Sequence, residues 1–169
     1  MNDRFDRRPS AKPAREEYRR RLPHLQATDK PLFVTFCTFQ RWTLPESVRG
    51  LVLRHCLHDH RVKLFMFGAV VMPDHVHLVF QAMRDPSGND FGLIEILQSI
   101  KSASAHSVNK ALGRRGQVWQ EESFDRVCRS DESVHDLVKY ICRNPERKGL
   151  VREFGEYPYL WREWVEGQQ

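Results

Sequence analysis

The sequence predicts an α+β fold of the ferredoxin-like, split β-α-β type. That is an antiparallel four-stranded sheet with helices on one face, plus one further C-terminal helix. Three observations carry this expectation. Runs rich in β-branched and aromatic residues alternate with runs of helical spacing, in the order β-α-β-β-α-β-α. The second and third strand-like runs are separated only by Pro73-Asp74, a tight-turn signal. No repeat, low-complexity tract or linker divides the 169 residues, a length that buries one substantial core.

Residues 1–28 are polar, Arg-rich and contain prolines, and are read as a basic arm that leaves 29–169 as a single domain. Pro31 to Phe39 is β-branched and aromatic, a first strand. Thr43-Leu44-Pro45-Glu46 opens a helix over about 46–60, with Val48, Leu51, Val52, His55 and Cys56 at helical spacing. Strand two is expected at about 63–72 and strand three at about 75–82. The polar break Asp85 to Asp90 precedes a helix over about 91–112, whose stripe is Leu93, Ile94, Leu97, Ile100, Ala103 and Ala105. Gly113-Arg114-Arg115-Gly116 reads as a basic loop, and Ser123 to Cys128 as a fourth strand. Ser130 is expected to cap the last helix, with Asp131 and Glu132 in its first turn. That helix runs to about Asn144, where Pro145 stops it.

The net charge is +5, and residues 1–30 hold nine Lys/Arg against five Asp/Glu, so four of those charges lie in the arm. A basic arm on a nearly neutral body suggests an anionic polymer as partner, nucleic acid foremost, with Arg7, Arg8, Arg19, Arg20 and Arg21 as candidate contacts. The alternative is a solvated tail. The four cysteines are scattered with no C-x-x-C pair, which argues for reduced thiols and a cytoplasmic setting. No run of 18 apolar residues exists, and no apolar segment follows the N-terminus as a secretory signal requires.

Met72-Pro73-Asp74-His75-Val76-His77 raises the chemical question. Residues two apart in a strand share a face, so His75 and His77 stand side by side in an otherwise apolar strand. Two imidazoles so placed either bind a metal ion or are satisfied sheet histidines, and the spacing alone leaves both open. His55-Cys56-Leu57-His58-Asp59-His60 is richer in ligand types, but it ends an amphipathic helix where polar and cationic residues belong. It is read as structural. In the last helix Val134, Leu137, Val138 and Ile141 form the buried stripe. Tyr140 falls roughly 110° from its centre, at the flank, and Asn144 lies on the same flank one turn on.

Here the sequence resembles a known family. Val70-Val71-Met72-Pro73-Asp74-His75-Val76-His77-Leu78-Val79 resembles the histidine-hydrophobic-histidine motif of Y1 (IS200-like) transposases. Gly116 to Gln120, Phe124 to Val127, Tyr140-Ile141-Cys142-Arg143-Asn144-Pro145 and Lys148 to Val151 are similar to the REP-associated tyrosine transposase branch. The ordered match runs from about residue 23 to about 161. It implies a single-strand DNA endonuclease and strand transferase in which His75 and His77 hold Mg²⁺ or Mn²⁺ over the scissile phosphate and Tyr140 is the nucleophile. Asn144 stands where insertion-sequence relatives carry a glutamine metal ligand. Lys101, Arg114 and Arg115 are candidate phosphate contacts. The implied partner is single-stranded DNA in repeat palindromic hairpins, met near the nucleoid by a monomer or a homodimer. The Tyr157-Pro158-Tyr159-Leu160-Trp161 segment lacks the Ser-Ser that often follows it in relatives. Two rivals are a non-catalytic nucleic-acid module, stacking bases on Phe65 and Phe67, and a zinc hydrolase needing Asp74 or Glu122 as third ligand.

Overall fold

The computed structural model describes residues 30–129 and 131–163. The elements are β1 (Leu32–Thr38), α1 (Glu46–Leu57), β2 (Leu64–Val71), β3 (His75–Ala82), α2 (Leu93–Ala111), β4 (Trp119–Val127), α3 (Val134–Cys142), a short α4 (Asn144–Arg147) and β5 (Leu160–Arg162). They form one antiparallel sheet in the order β4-β1-β3-β2-β5, so the hairpin strand with the two histidines is central. The first four strands have the split β-α-β arrangement that the element order predicts.

The two-residue period of the strands sorts the core into two layers. Val34 and Phe36 of β1 and Val76, Leu78 and Phe80 of β3 pack with α1 and α2. On the opposite face Phe33, Val70 and Val79 meet Leu137, Val138 and Ile141 of α3. Each aliphatic side chain removed from water in this way contributes about 1.5–3 kcal/mol. His75 and His77 share the phase of Val79, so they belong to the α3 side.

Several expectations are adjusted. The sheet has a fifth strand. Tyr157 Oη donates to the Val71 carbonyl at 2.7 Å, and Val71 N–H donates to the Tyr159 carbonyl at 2.9 Å, which lays Leu160–Arg162 along β2. The aromatic C-terminal segment therefore covers a sheet edge. β4 begins at Trp119, four residues early, because the indole packs edge-on to Phe36 at 4.9 Å and donates to Ser104 Oγ at 2.9 Å. The polar run Gln120-Glu121-Glu122 hid that start. α1 ends at Leu57, and His60 instead accepts from the Met66 N–H at 3.0 Å, while His55 meets Ser107 of α2 at 2.8 Å. Two histidines of that cluster thus tie α1 to α2 and to the start of β2.

The last helix starts later than expected. Ser130 and the arm, including Arg7, Arg8, Arg19, Arg20 and Arg21, lie outside the described residues. The cap is Ser133, whose Oγ accepts from the His135 N–H at 3.1 Å. Glu132 is drawn away by Arg126 of β4, which grips its carboxylate with two hydrogen bonds of 2.5 and 2.7 Å. α3 ends at Cys142, and Pro145 lies in the first turn of α4, since its ring would clash with the Ile141 carbonyl of a continuous helix.

α3 approaches the sheet closely because Gly68 lacks a side chain. A Cβ there would lie 3.0 Å from Val138 Cγ1 and 3.2 Å from Ile141 Cδ1. Gly68→Ala is expected to destabilise the protein by about 1–3 kcal/mol in urea unfolding through overpacking. Val138→Ala in the same chain should return part of that loss, giving a non-additive cycle.

Candidate active site

The turn that launches β3 is pinned on three sides. Met72 N–H donates to the His75 carbonyl at 2.8 Å, Leu44 N–H to the Pro73 carbonyl at 2.6 Å and Thr38 N–H to the Asp74 carbonyl at 2.9 Å. From this base His75 and His77 project side by side, each 9% exposed. Each ring is held at Nδ1: His75 by Asp74 Oδ1 at 2.6 Å, and His77 by Thr35 Oγ1 at 2.7 Å. Thr35 reaches His77 because the two are register partners across the central β1–β3 pair. With Nδ1 engaged on both rings, the two Nε2 atoms face one another at 3.1 Å. Asn144, 7% exposed, brings its amide nitrogen within 3.5 Å of His75 Nε2.

Asp74 is itself fixed, by Arg41 Nη2 at 2.6 Å, and Arg41 also donates to Cys37 Sγ at 2.7 Å. Gln40 and Arg41 adopt left-handed φ angles of 52° and 57° to make this turn. Non-glycine residues take such angles only where surrounding contacts hold them.

Both imidazoles are disposed to be neutral at pH 7. The His77 pKa is pushed down to about 3, first by burial, then by the charges of His75 and Arg147. His75 is also lowered, chiefly by burial, with the Asp74 hydrogen bond opposing. Asp74 can only accept while ionised, so His75 carries its proton on Nδ1 and leaves Nε2 a lone pair. The Thr35 hydroxyl both donates and accepts, so it suits either tautomer of His77.

This donor set fits a divalent ion. Two nitrogens 3.1 Å apart, each about 2.1 Å from one ion, subtend about 95°, close to adjacent octahedral positions. The Asp74–His75 contact is the carboxylate–imidazole support that orients metal-binding histidines. Turning the Asn144 amide by 180° exchanges its nitrogen for its oxygen, a hard ligand suited to Mg²⁺ or Mn²⁺. Among the described residues no third His, Cys, Asp or Glu joins the pair. Among the described residues neither third ligand that the zinc-hydrolase alternative names reaches the pair's Nε2 side: the Asp74 carboxylate serves Nδ1, and Glu122 is exposed on β4.

Tyr140 stands at the rim of this site, 51% exposed. Phe33 links it to the histidines, with its ring 6.4 Å from the Tyr140 ring and 5.7 Å from that of His77. The third neighbour of Phe33 is Phe124 of β4, exposed on the same face. Arg147 lies over the Tyr140 ring at 4.1 Å. The structure thus brings His75, His77, Asn144 and Tyr140 to one face. It does not bring Lys101 there. Lys101 lies on α2, across the sheet, and donates to the Glu121 carbonyl at 2.9 Å. Arg114 stacks on Trp42 at 4.0 Å, while Arg115 is exposed beside it. Sequence reasoning missed Thr35, Arg41, Phe33 and Arg147. Only Arg147 left a local signal, seven residues beyond Tyr140 and so in helical phase with it, but across Pro145.

Comparison with known proteins gives the chain a family. The family described as "Transposase IS200 like" matches residues 44–144, a span that includes both histidines, Tyr140 and Asn144. A Haemophilus influenzae REP-associated tyrosine transposase is 27% identical over 97 residues. That match covers 53% of this chain and 53% of the relative, so the chain spans about half the length of that curated protein. Among solved structures, a REP-associated tyrosine transposase bound to a REP hairpin is similar in fold, with a TM-score of 0.60 at 20% identity over 78% of this chain and 75% of that one. A transposase from Deinococcus radiodurans gives a TM-score of 0.45 at 21% identity over 66% of this chain and 87% of that one. By the family match over more than half its length, the chain belongs to the IS200-like transposases.

Proposed function

We propose that the protein is a metal-dependent endonuclease and strand transferase for single-stranded DNA, using Tyr140 as nucleophile at hairpin-forming repeats. The observation that carries this reading is the convergence of the two His Nε2 atoms and Asn144 on one point of a face whose rim is Tyr140. The hairpin substrate is supported by the REP hairpin bound to the protein of similar fold.

A divalent ion, Mg²⁺ or Mn²⁺, held by His75, His77 and Asn144 would act as a Lewis acid on the oxygens of the scissile phosphate. The protein supplies the rest. Asp74 and Thr35 hold both rings at Nδ1, which leaves both Nε2 atoms facing one place. Tyr140 is exposed at the rim, so a strand laid on that face would meet its phenol. The Tyr140 Oη–phosphorus bond forms as the phosphorus–O3′ bond breaks. The phenolic proton passes to solvent, and the departing 3′-oxygen takes one. The products are a 5′-phosphotyrosine and a free 3′-hydroxyl. Because the ester retains the bond energy, attack by another 3′-hydroxyl reverses the step and joins strands without ATP. Arg114, Arg115, Lys101 and the arm arginines would hold the hairpin backbone away from the point of cleavage.

Labelled hairpins from the host genome's repeats, incubated with Mn²⁺, are expected to give a covalent protein–DNA adduct on a denaturing gel. EDTA and Tyr140→Phe should each abolish it. Cleavage without an adduct, unchanged in Tyr140→Phe, would refute the tyrosine mechanism. Binding without cleavage would identify a DNA-binding module. Asp74→Asn is expected to weaken Mn²⁺ binding by about 10–100-fold in calorimetry, because the support of His75 is lost while both ligands remain.

A further inference from the structure

Arg147 has contacts that neither the metal centre nor the fold accounts for. α4 begins at Asn144, which is buried beside His75, and ends at Arg147, which folds back over Tyr140. Its guanidinium lies 4.1 Å from the Tyr140 ring centroid, and Nη2 donates to the Tyr140 carbonyl at 3.1 Å. The other arginines near the site are committed: Arg41 to Asp74, and Arg126 to Glu132. Arg147 is exposed and has no carboxylate partner among the described residues. An exposed cation therefore lies directly against the Tyr140 side chain, at the end of the short helix that begins with Asn144 beside His75.

A guanidinium suits that place. It presents several N–H donors in a planar fork that matches two phosphate oxygens, and it stays charged at every working pH. An exposed stack on tyrosine is weak, so little holds it against a phosphate's competition.

We propose that Arg147 grips the scissile phosphate beside Tyr140, donating to its non-bridging oxygens as the phenolic oxygen attacks and holding the same phosphate once it is an ester of Tyr140. This rests on Tyr140 being the nucleophile. Arg147 keeps its protons throughout. The bonds that change are those given above, and Arg147 offsets charge on the phosphate alone. The competing explanation is that Arg147 only caps α3 through the Tyr140 carbonyl.

The test separates the two. Arg147→Gln retains a donor for the carbonyl but loses the charge, whereas Arg147→Lys retains the charge but loses the fork. Affinity for a fluorescent hairpin with a single-stranded flank is measured across a salt series, without metal, in Tyr140→Phe protein. Arg147→Gln is expected to lower the slope of log affinity against log salt by about 0.7, one single-strand phosphate contact, and Arg147→Lys to preserve it. With Tyr140 intact and Mn²⁺ present, adduct formation should fall about 100-fold in Arg147→Gln. It should fall less in Arg147→Lys, at unchanged urea midpoints. An unchanged slope in Arg147→Gln, together with an adduct rate within twofold of the parent, would overturn the proposal. If the parent forms no adduct but Arg147→Gln still lowers the slope, the phosphate contact stands and the nucleophile assignment falls. If the parent forms the adduct and Arg147→Gln changes neither quantity, the assignment stands and the contact falls.

Discussion

The site depends on the pairing of β1 with β3. That register sets Thr35 opposite His77 and Cys37 opposite His75, so the support for one imidazole comes from across the strand pair and that for the other from its own turn. A slip of one residue would turn both histidines into the α1–α2 core, where unpaired imidazoles would be costly. The register is fixed in turn by apolar alternation. Val76, Leu78 and Phe80 are fully buried on one side, and the histidine face is what remains. Hydrophobic burial thus positions the polar site, without a hydrogen bond being asked to do so alone.

The remaining parts are attached to that face by packing. α3 settles on the hollow at Gly68, and its flank carries Tyr140 to the rim while its stripe is buried. Across the break between α3 and α4, Asn144 is turned inward against His75 and Arg147 lies over Tyr140, four and seven residues beyond it and still in helical phase with it.

Much of this was legible in the sequence. The two-residue spacing of His75 and His77 placed both on one face of a central strand, and the phase of Tyr140 against Leu137, Val138 and Ile141 placed it at a flank. Those are local periodicities, which the backbone enforces. Thr35, Arg41 and Phe33 were not legible, because their roles arise from cross-strand register and from a left-handed turn, neither of which a linear pattern encodes. β5 was missed because Leu160–Arg162 is too short to show alternation and forms only once Tyr157 is anchored on Val71. Glu132 misled the reading of the last helix, since an acid placed for a first turn was held instead by Arg126. The roles proposed for His75, His77, Asn144 and Tyr140 came from the family resemblance. The spacing of the histidines alone left both a metal site and satisfied sheet histidines open.

The central claim is that β1 and β3 aim two imidazoles at one divalent ion. Pulsed electron paramagnetic resonance of the Mn²⁺-loaded protein tests it most directly, because nitrogen couplings count the bound rings. The account predicts couplings from two imidazole nitrogens, reduced to one in His75→Ala and in His77→Ala separately. Couplings that are absent, or that survive both substitutions together, would contradict it.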